Sequence, residues 1–213
     1  MEKINWRDFQ GAENPILDAY RVLRTNMLCV ANNKKLLEFT SPVKDTENSA
    51  VVAGIAIVFA QAGYKTLLID GNFANPSQHI LFELAKPGIG EALGSNADLF
   101  NMIHHCTQLD RLDILTCGEN ATNNVDVLRG NTMQKFLAAA KEKYDFVLLD
   151  MPAVDACADA ASVSANMDGV ILVVTSGADR IKAVNDAKLK LEQAGATVLG
   201  CVLDKVKMEK DII

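Results

Sequence analysis

Residues 39–60, FTSPVKDTENSAVVAGIAIVFA, set a short polar loop between an apolar strand and an apolar helix. That is the outline of a phosphate-binding loop. A working loop of this kind reads G-x-x-x-x-G-K-[ST], with glycines that let the backbone wrap the phosphates and a lysine that reaches the terminal ones. Here the closing positions are Glu47, Asn48 and Ser49, preceded by Asp45 and Thr46. Only Ser49, at the metal-ligand position, has the expected type. Two aspartates complete the pattern, because Asp70 and Asp150 each directly follow an apolar run (TLLID and FVLLD). A magnesium–nucleotide site needs such a pair, one to hold the ion through water and one to position or deprotonate the attacking group. Either aspartate alone reads equally well as a cap in solvent. The combination with Ser49 favours a site, and its chemical competence is a separate question.

The elements that would position these residues follow from apolar spacing. Asn14-Pro15 opens a helix, with Asn as cap and Pro in the first turn, along which Ile16, Leu17, Tyr20, Leu23, Met27 and Val30 recur at helical spacing. Residues 1–13 read as an irregular arm. Strands are expected at 36–40, 66–70, 112–116, 144–150, 169–175 and 198–204. Helices are expected at 49–61, 98–106, 132–143, 159–166 and 179–194. The helix at 49–61 is apolar nearly all round and must be buried on most sides. Apolar strands that do not alternate, interleaved with helices, imply an α/β fold: a mostly parallel sheet covered on both faces. Ligands of such sheets bind at the carboxyl ends of the strands, where Thr40, Ser41, Asp70, Asp150, Thr175 and Asp204 stand.

The 213 residues are 49% apolar, which suits one domain over residues 1–213 with a large core. A net charge of −6 gives no generic attraction to nucleic acid or to an anionic membrane. The five cysteines have no C-x-x-C spacing and read as buried free thiols of a reducing compartment. His79, His104 and His105 lack partners at metal-ligand spacing and read as structural. Met1 is followed by Glu2 and polar residues, and the apolar run at 50–60 is too short to span a bilayer. A cytoplasmic protein is therefore expected, held at the inner face of the membrane only through a partner.

From residue 14 to 206 the chain resembles the bacterial tyrosine kinases of capsule and exopolysaccharide synthesis, relatives of the MinD and ParA ATPases with deviant P-loops. NPILDAYRVLRTNM is similar to the family's opening S-P-[IV]-x-E-A-[YF]-R-x-L-R-T-N. GNFANPSQH stands where the family has A-D-x-R-x-P-x-x-H, and YDFVLLDMPAV looks like its Walker B strand. DGVILVV and VLGCVLDKV match the last two strands. The resemblance implies a P-loop NTPase fold, ATP or ADP with magnesium as cofactors, and a membrane polysaccharide copolymerase or adaptor as partner. It also implies an oligomer interface in the opening helix. The family's E-x-x-R-x-x-R there becomes Asp18, Arg21 and Arg24, with a shorter acid.

The departures fall on the phosphate site. Where the family has G-E-G-K-S-T, this chain has Asp45, Thr46, Glu47, Asn48, Ser49 and Ala50. Asn72 replaces a second aspartate and Ala74 an arginine, while residues 122–128 lack the prolines of a family loop. Asp204 stands where an asparagine often helps to read adenine. An acid about 4 Å from a phosphate costs on the order of 4 kcal/mol at an effective dielectric of about 20, roughly a thousandfold in affinity. Each lost loop glycine adds roughly 1–3 kcal/mol where its backbone needs positive φ. Lys44 is a substitute cation in principle, but its register and stem direction favour a solvated loop lysine. The family's kinases phosphorylate a C-terminal tyrosine cluster, whereas the only tyrosines here are Tyr20, Tyr64 and Tyr144.

The expectation is a pseudoenzyme, with Asp70 and Asp150 a vestigial catalytic pair and no cofactor. It would act by contacts within a homo-oligomer, with an active paralogue or with a membrane copolymerase. The alternative is a diverged but active ATPase or tyrosine kinase using Ser49, Asp70, Asp150 and Lys44. A DNA-binding relative of the partition ATPases is disfavoured by the acidic charge and the lack of a basic stripe.

Overall fold

A computed structural model describes residues 4–11, 14–44, 48–84, 87–95, 97–119, 126–156 and 160–206. Its helices are α1 (Pro15–Ala31), α2 (Asn48–Gln61), α3 (Gln78–Leu81), α4 (Ile89–Ser95), α5 (Asp126–Arg129), α6 (Asn131–Lys143), α7 (Ala160–Ser164) and α8 (Ile181–Gln193). Its strands are β1 (Leu36–Thr40), β2 (Thr66–Asp70), β3 (His104–His105), β4 (Leu112–Leu115), β5 (Phe146–Asp150), β6 (Gly169–Thr175) and β7 (Val198–Asp204). Among the described residues these strands form one sheet in the order β3-β4-β2-β5-β1-β6-β7. Every neighbouring pair is parallel except β3 with β4.

Every residue of β1, β2, β4 and β5 is buried, as strands with helices on both faces must be. On one face Leu37, Phe39, Leu68 and Leu148 pack against Ile55 and Phe59 of α2. On the other, Leu36, Leu67, Ile69 and Val147 meet Phe136 and Leu137 of α6. Successive residues of β1 thus enter opposite cores, following the two-residue period of a strand.

Local chemistry explains the element that carries the loop. Asn14 Oδ1 accepts the Ile16 and Leu17 N–H groups at 3.0 and 3.4 Å and starts α1. Helix α2 is buried throughout Val51–Ala60. Its Gly54 lets α1 come close, since a Cβ there would lie 2.4 Å from Tyr20 Cζ. Gly63, at φ +91°, turns the chain from α2 toward β2.

Four expectations are corrected. The described part of residues 1–13 is packed, not irregular: Trp6–Phe9 is a 3-10 turn capped by Asn5. Phe9 is buried beside Tyr20 with ring centroids 5.4 Å apart, and Ile4 N donates to Leu81 O at 2.9 Å. The helix expected over 98–106 is a 3-10 turn, Leu99–Met102, followed by the antiparallel bridge His104–His105. That stretch is too short to repay helix nucleation, and the edge of β4 offers it backbone partners. Asp179 does not start α8. Its carboxylate accepts the Thr175 N–H at 2.7 Å and closes the turn after β6. The thiols are free, and Cys106 and Cys117 are buried, but Cys29 and Cys201 are exposed. Cys157 lies outside the described residues.

Candidate functional site

Strands β2 and β5 are neighbours in register, with Asp70 paired to Asp150 at their carboxyl ends. Both side chains are fully buried. Asp70 Oδ1 accepts the Asn72 N–H at 3.1 Å, and Oδ2 accepts those of Ser77 and Gln78 at 2.9 and 3.0 Å. The loop after β2 therefore closes around Asp70. Asp150 Oδ2 accepts Gln78 Nε2 at 2.8 Å, and the same amide nitrogen donates to Ser49 O at 3.1 Å. Asp150 Oδ1 is buried without a hydrogen-bond partner among the described residues.

Burial, and then the neighbouring Asp70 charge, push the Asp150 carboxyl up to about 7, while the Ser49 and Gln78 side chains hold it down. Burial also raises Asp70, against its three backbone N–H donors and Cys117. Two carboxyls this close and this dry do not both ionise readily near neutrality. Cys117, whose Sγ donates to Asp70 O at 3.1 Å, is likewise raised by burial and by Asp70.

Helix α2 brings Asn48 and Ser49, both buried, to the same end of the sheet. Asn48 Nδ2 donates to Met151 O at 3.1 Å. Thr40 Oγ1 donates to Pro152 O at 2.7 Å, so the ends of β1 and β5 are stitched together beneath the loop. A cleft of about 300 Å³ opens there, lined by Ser41, Lys44, Asn48, Asn72, Asn75 and Ala153 among others. Lys44 is exposed at its edge, and Ala50 is exposed on α2. Asp45, Thr46 and Glu47 lie outside the described residues, as do 122–125.

Among the described residues, much of the acceptor capacity that magnesium with a nucleotide would use is already taken. Such an ion requires acceptor oxygens, yet both Asp70 oxygens already take backbone N–H groups. An amide N–H, a donor, lies against Asp150 Oδ2 and Ser49 O. Among the described residues, the buried oxygens left without a hydrogen-bond partner there are Asp150 Oδ1, Gln78 Oε1 and Ser77 Oγ. Around the cleft stand the amides of Asn48, Asn72 and Asn75, with Lys44 the one cation among its described lining residues.

Other sequence candidates are placed elsewhere. Asp204 lines a separate groove of about 310 Å³ between α1 and β7, with Tyr20, Val51 and Lys205. Burial and then Asp204 push the Tyr20 hydroxyl up to about 12. On α1, Asp18 and Arg21 form an exposed pair at 3.0 Å. Arg24 does not share that free face: its Nη1 donates to Val58 O at 3.0 Å and ties α1 to α2. His105 faces Asp113, whose other oxygen accepts Tyr144 OH at 2.7 Å. His104 Nε2 meets Pro87 O at 2.8 Å. Among the described residues no cluster of three His, Cys, Asp or Glu could hold a metal.

Sequence reasoning missed Gln78, which joins Ser49 to Asp150, and Glu38 in β1. Glu38 is buried, accepts Ser164 Oγ at 2.7 Å, and is pushed up to about 8 chiefly by burial. Its signal was visible as one acid inside the apolar run LLEFT. Gln78, in a polar stretch, gave no such signal.

No family model matches the chain. It is 31% identical over 189 residues to the tyrosine-protein kinase CpsD of Streptococcus agalactiae, covering 88% of this chain and 82% of that protein. It is 30% identical over 196 residues to the tyrosine-protein kinase YwqD of Bacillus subtilis, covering 91% and 82%. Among solved structures, the chimerical protein CapA2B2 superposes with a TM-score of 0.87 at 27% identity, over 98% of this chain and 93% of that one. The kinase domain of Escherichia coli tyrosine kinase ETK gives 0.86 at 26%, over 100% and 86%. The septum site-determining protein MinD of Pyrococcus horikoshii, solved with Mg-ADP, shares the fold at 0.66 and 23%, over 79% and 69%.

Proposed function

Because the chain belongs to the bacterial tyrosine-kinase family of capsule and exopolysaccharide synthesis, with the fold of the MinD-like P-loop ATPases, we propose that it is a pseudoenzyme of that family. Its sheet, helices and paired carboxylates are kept, and its phosphate loop is degraded. One observation carries this reading. Asn48 stands where the family resemblance places the P-loop lysine, and its amide is spent inside the fold on Met151 O. The surrounding positions Asp45 and Glu47 add negative charge where the family has glycines.

The protein would act through contacts with copies of itself, with an active paralogue or with a membrane polysaccharide copolymerase. The likeness to the CapA2B2 chimera supports a partner of that kind. Among the described residues no helix is long and apolar enough to cross a membrane, which is in keeping with attachment to the inner membrane face through that partner.

A second reading, a diverged active kinase or ATPase, has a specific observation in its favour. Lys44 lines the cleft beside Asn48, and Asp150 Oδ1 has no hydrogen-bond partner among the described residues. Calorimetric titration of Mg·ATP and Mg·ADP separates the two. The unmodified chain is expected to show no binding at micromolar concentrations. Asp45→Gly, Glu47→Gly and Asn48→Lys combined are expected to restore some. Micromolar binding by the unmodified chain refutes the pseudoenzyme reading, and loss of that binding in Lys44→Ala would assign the phosphate contact to Lys44.

A further inference from the structure

Gln78 is fully buried at the start of α3, and its side chain reaches across the end of the sheet. Its amide nitrogen donates to Asp150 Oδ2 at 2.8 Å and to Ser49 O at 3.1 Å. A backbone carbonyl can only accept, so the contact with Ser49 fixes which end of the amide is nitrogen. Both N–H bonds of one NH₂ group are thus used, one on the strand-end carboxylate and one on the first turn of α2.

We infer that Gln78 is a built-in plug, whose amide occupies Asp150 Oδ2 from an anchor on the Ser49 main-chain carbonyl and thereby keeps a divalent cation off that oxygen. This rests on the pseudoenzyme reading and supplies its cause on the metal side. A divalent cation and the partly positive hydrogens of an NH₂ group both seek Asp150 Oδ2, so they compete for that oxygen. The amide belongs to the chain and loses no freedom on binding, whereas the ion must shed water to enter. Asp70 fixes the plug from behind, because its Oδ2 accepts the backbone N–H groups of Ser77 and Gln78. That anchoring does not involve the Gln78 side chain. A substitution that removes only the amide therefore leaves the loop held, while freeing Asp150 Oδ2.

The test uses Mn²⁺ alone, titrated into the full chain and followed by loss of the free-ion signal in electron paramagnetic resonance. The unmodified chain is expected to bind none at millimolar metal. Gln78→Ala, and Gln78→Leu with its larger volume, are expected to gain binding by at least about tenfold. Adding Asp150→Asn to either should remove the gain. Circular dichroism shows which of the two variants has folded, and the folded one is read. A folded variant that binds no better than the unmodified chain overturns the plug and leaves the proposed function standing. Mn²⁺ binding by the unmodified chain overturns the plug outright. Failure of the proposed function is separate, since it is read from nucleotide binding by the unmodified chain.

Discussion

Replacing Asp150 by Asn isolates what a buried carboxylate costs at the end of β5. The Asp150 carboxyl, ordinarily near 3.8, is raised to about 7. Between those values the folded chain holds a proton that the unfolded chain has lost. Stability therefore falls as pH rises through that interval, and the penalty is complete above about 7. Each unit is worth about 1.4 kcal/mol, so a shift of roughly three units sets a ceiling near 4 kcal/mol. Asn cannot ionise. Its Oδ1 still accepts the Gln78 amide, and its Nδ2 replaces the oxygen that has no partner among the described residues. Asp150→Asn is therefore expected to match the unmodified chain below about pH 4 and to exceed it at pH 8 by about 2–4 kcal/mol.

Glu38, raised to about 8, changes stability in the same direction, so the unmodified chain's pH profile alone does not isolate Asp150. The difference between the two proteins at each pH does, because Glu38 is common to both. Urea unfolding can be followed by the single tryptophan, Trp6, whose ring lies 6.2 Å from that of Phe82. A difference that is the same at pH 5 and pH 8 refutes the reasoning. So does an Asn variant less stable at pH 8.

Two further outcomes follow from the packing of α1. A Cβ at Gly54 would lie 2.4 Å from Tyr20 Cζ, so Gly54→Ala is expected to cost about 1–3 kcal/mol through overpacking, outweighing the roughly 1 kcal/mol that Ala gains in a helix; an unchanged urea midpoint would show that Tyr20 yields freely. For the oligomer expectation, Asp18→Ala with Arg21→Ala should lower the mass seen by light scattering, and identical masses would remove that face from any interface. Arg24 is left out because its loss would loosen α1 from α2 as well.

The frame was legible because burial on two faces writes itself as unbroken apolar runs, and TLLID, FVLLD and GVILVVT all became strands of the sheet. Ser49, Asp70 and Asp150 were legible because strand ends and the loop helix converge on one edge. The short elements were not. His104–His105 became a strand only because β4 presented an open edge, and nothing local to residues 98–106 encodes that edge. Arg24 looked like a surface charge because its partner, the Val58 carbonyl, lies 34 residues away.

Gln78 is the sharpest case. Its partners are Ser49 and Asp150, 29 and 72 positions distant, and its own neighbours are ordinary loop residues. Yet the physics that makes it necessary was already implied. Two carboxyls placed side by side at adjacent strand ends cannot be buried without donors or a cation. A chain that keeps both aspartates and lacks the loop lysine must find donors elsewhere. Backbone N–H groups serve Asp70, and a side-chain amide serves Asp150. The retained carboxylates are then a sign of internal packing as much as of chemistry, and the amide that partners them is the residue on which the distinction turns.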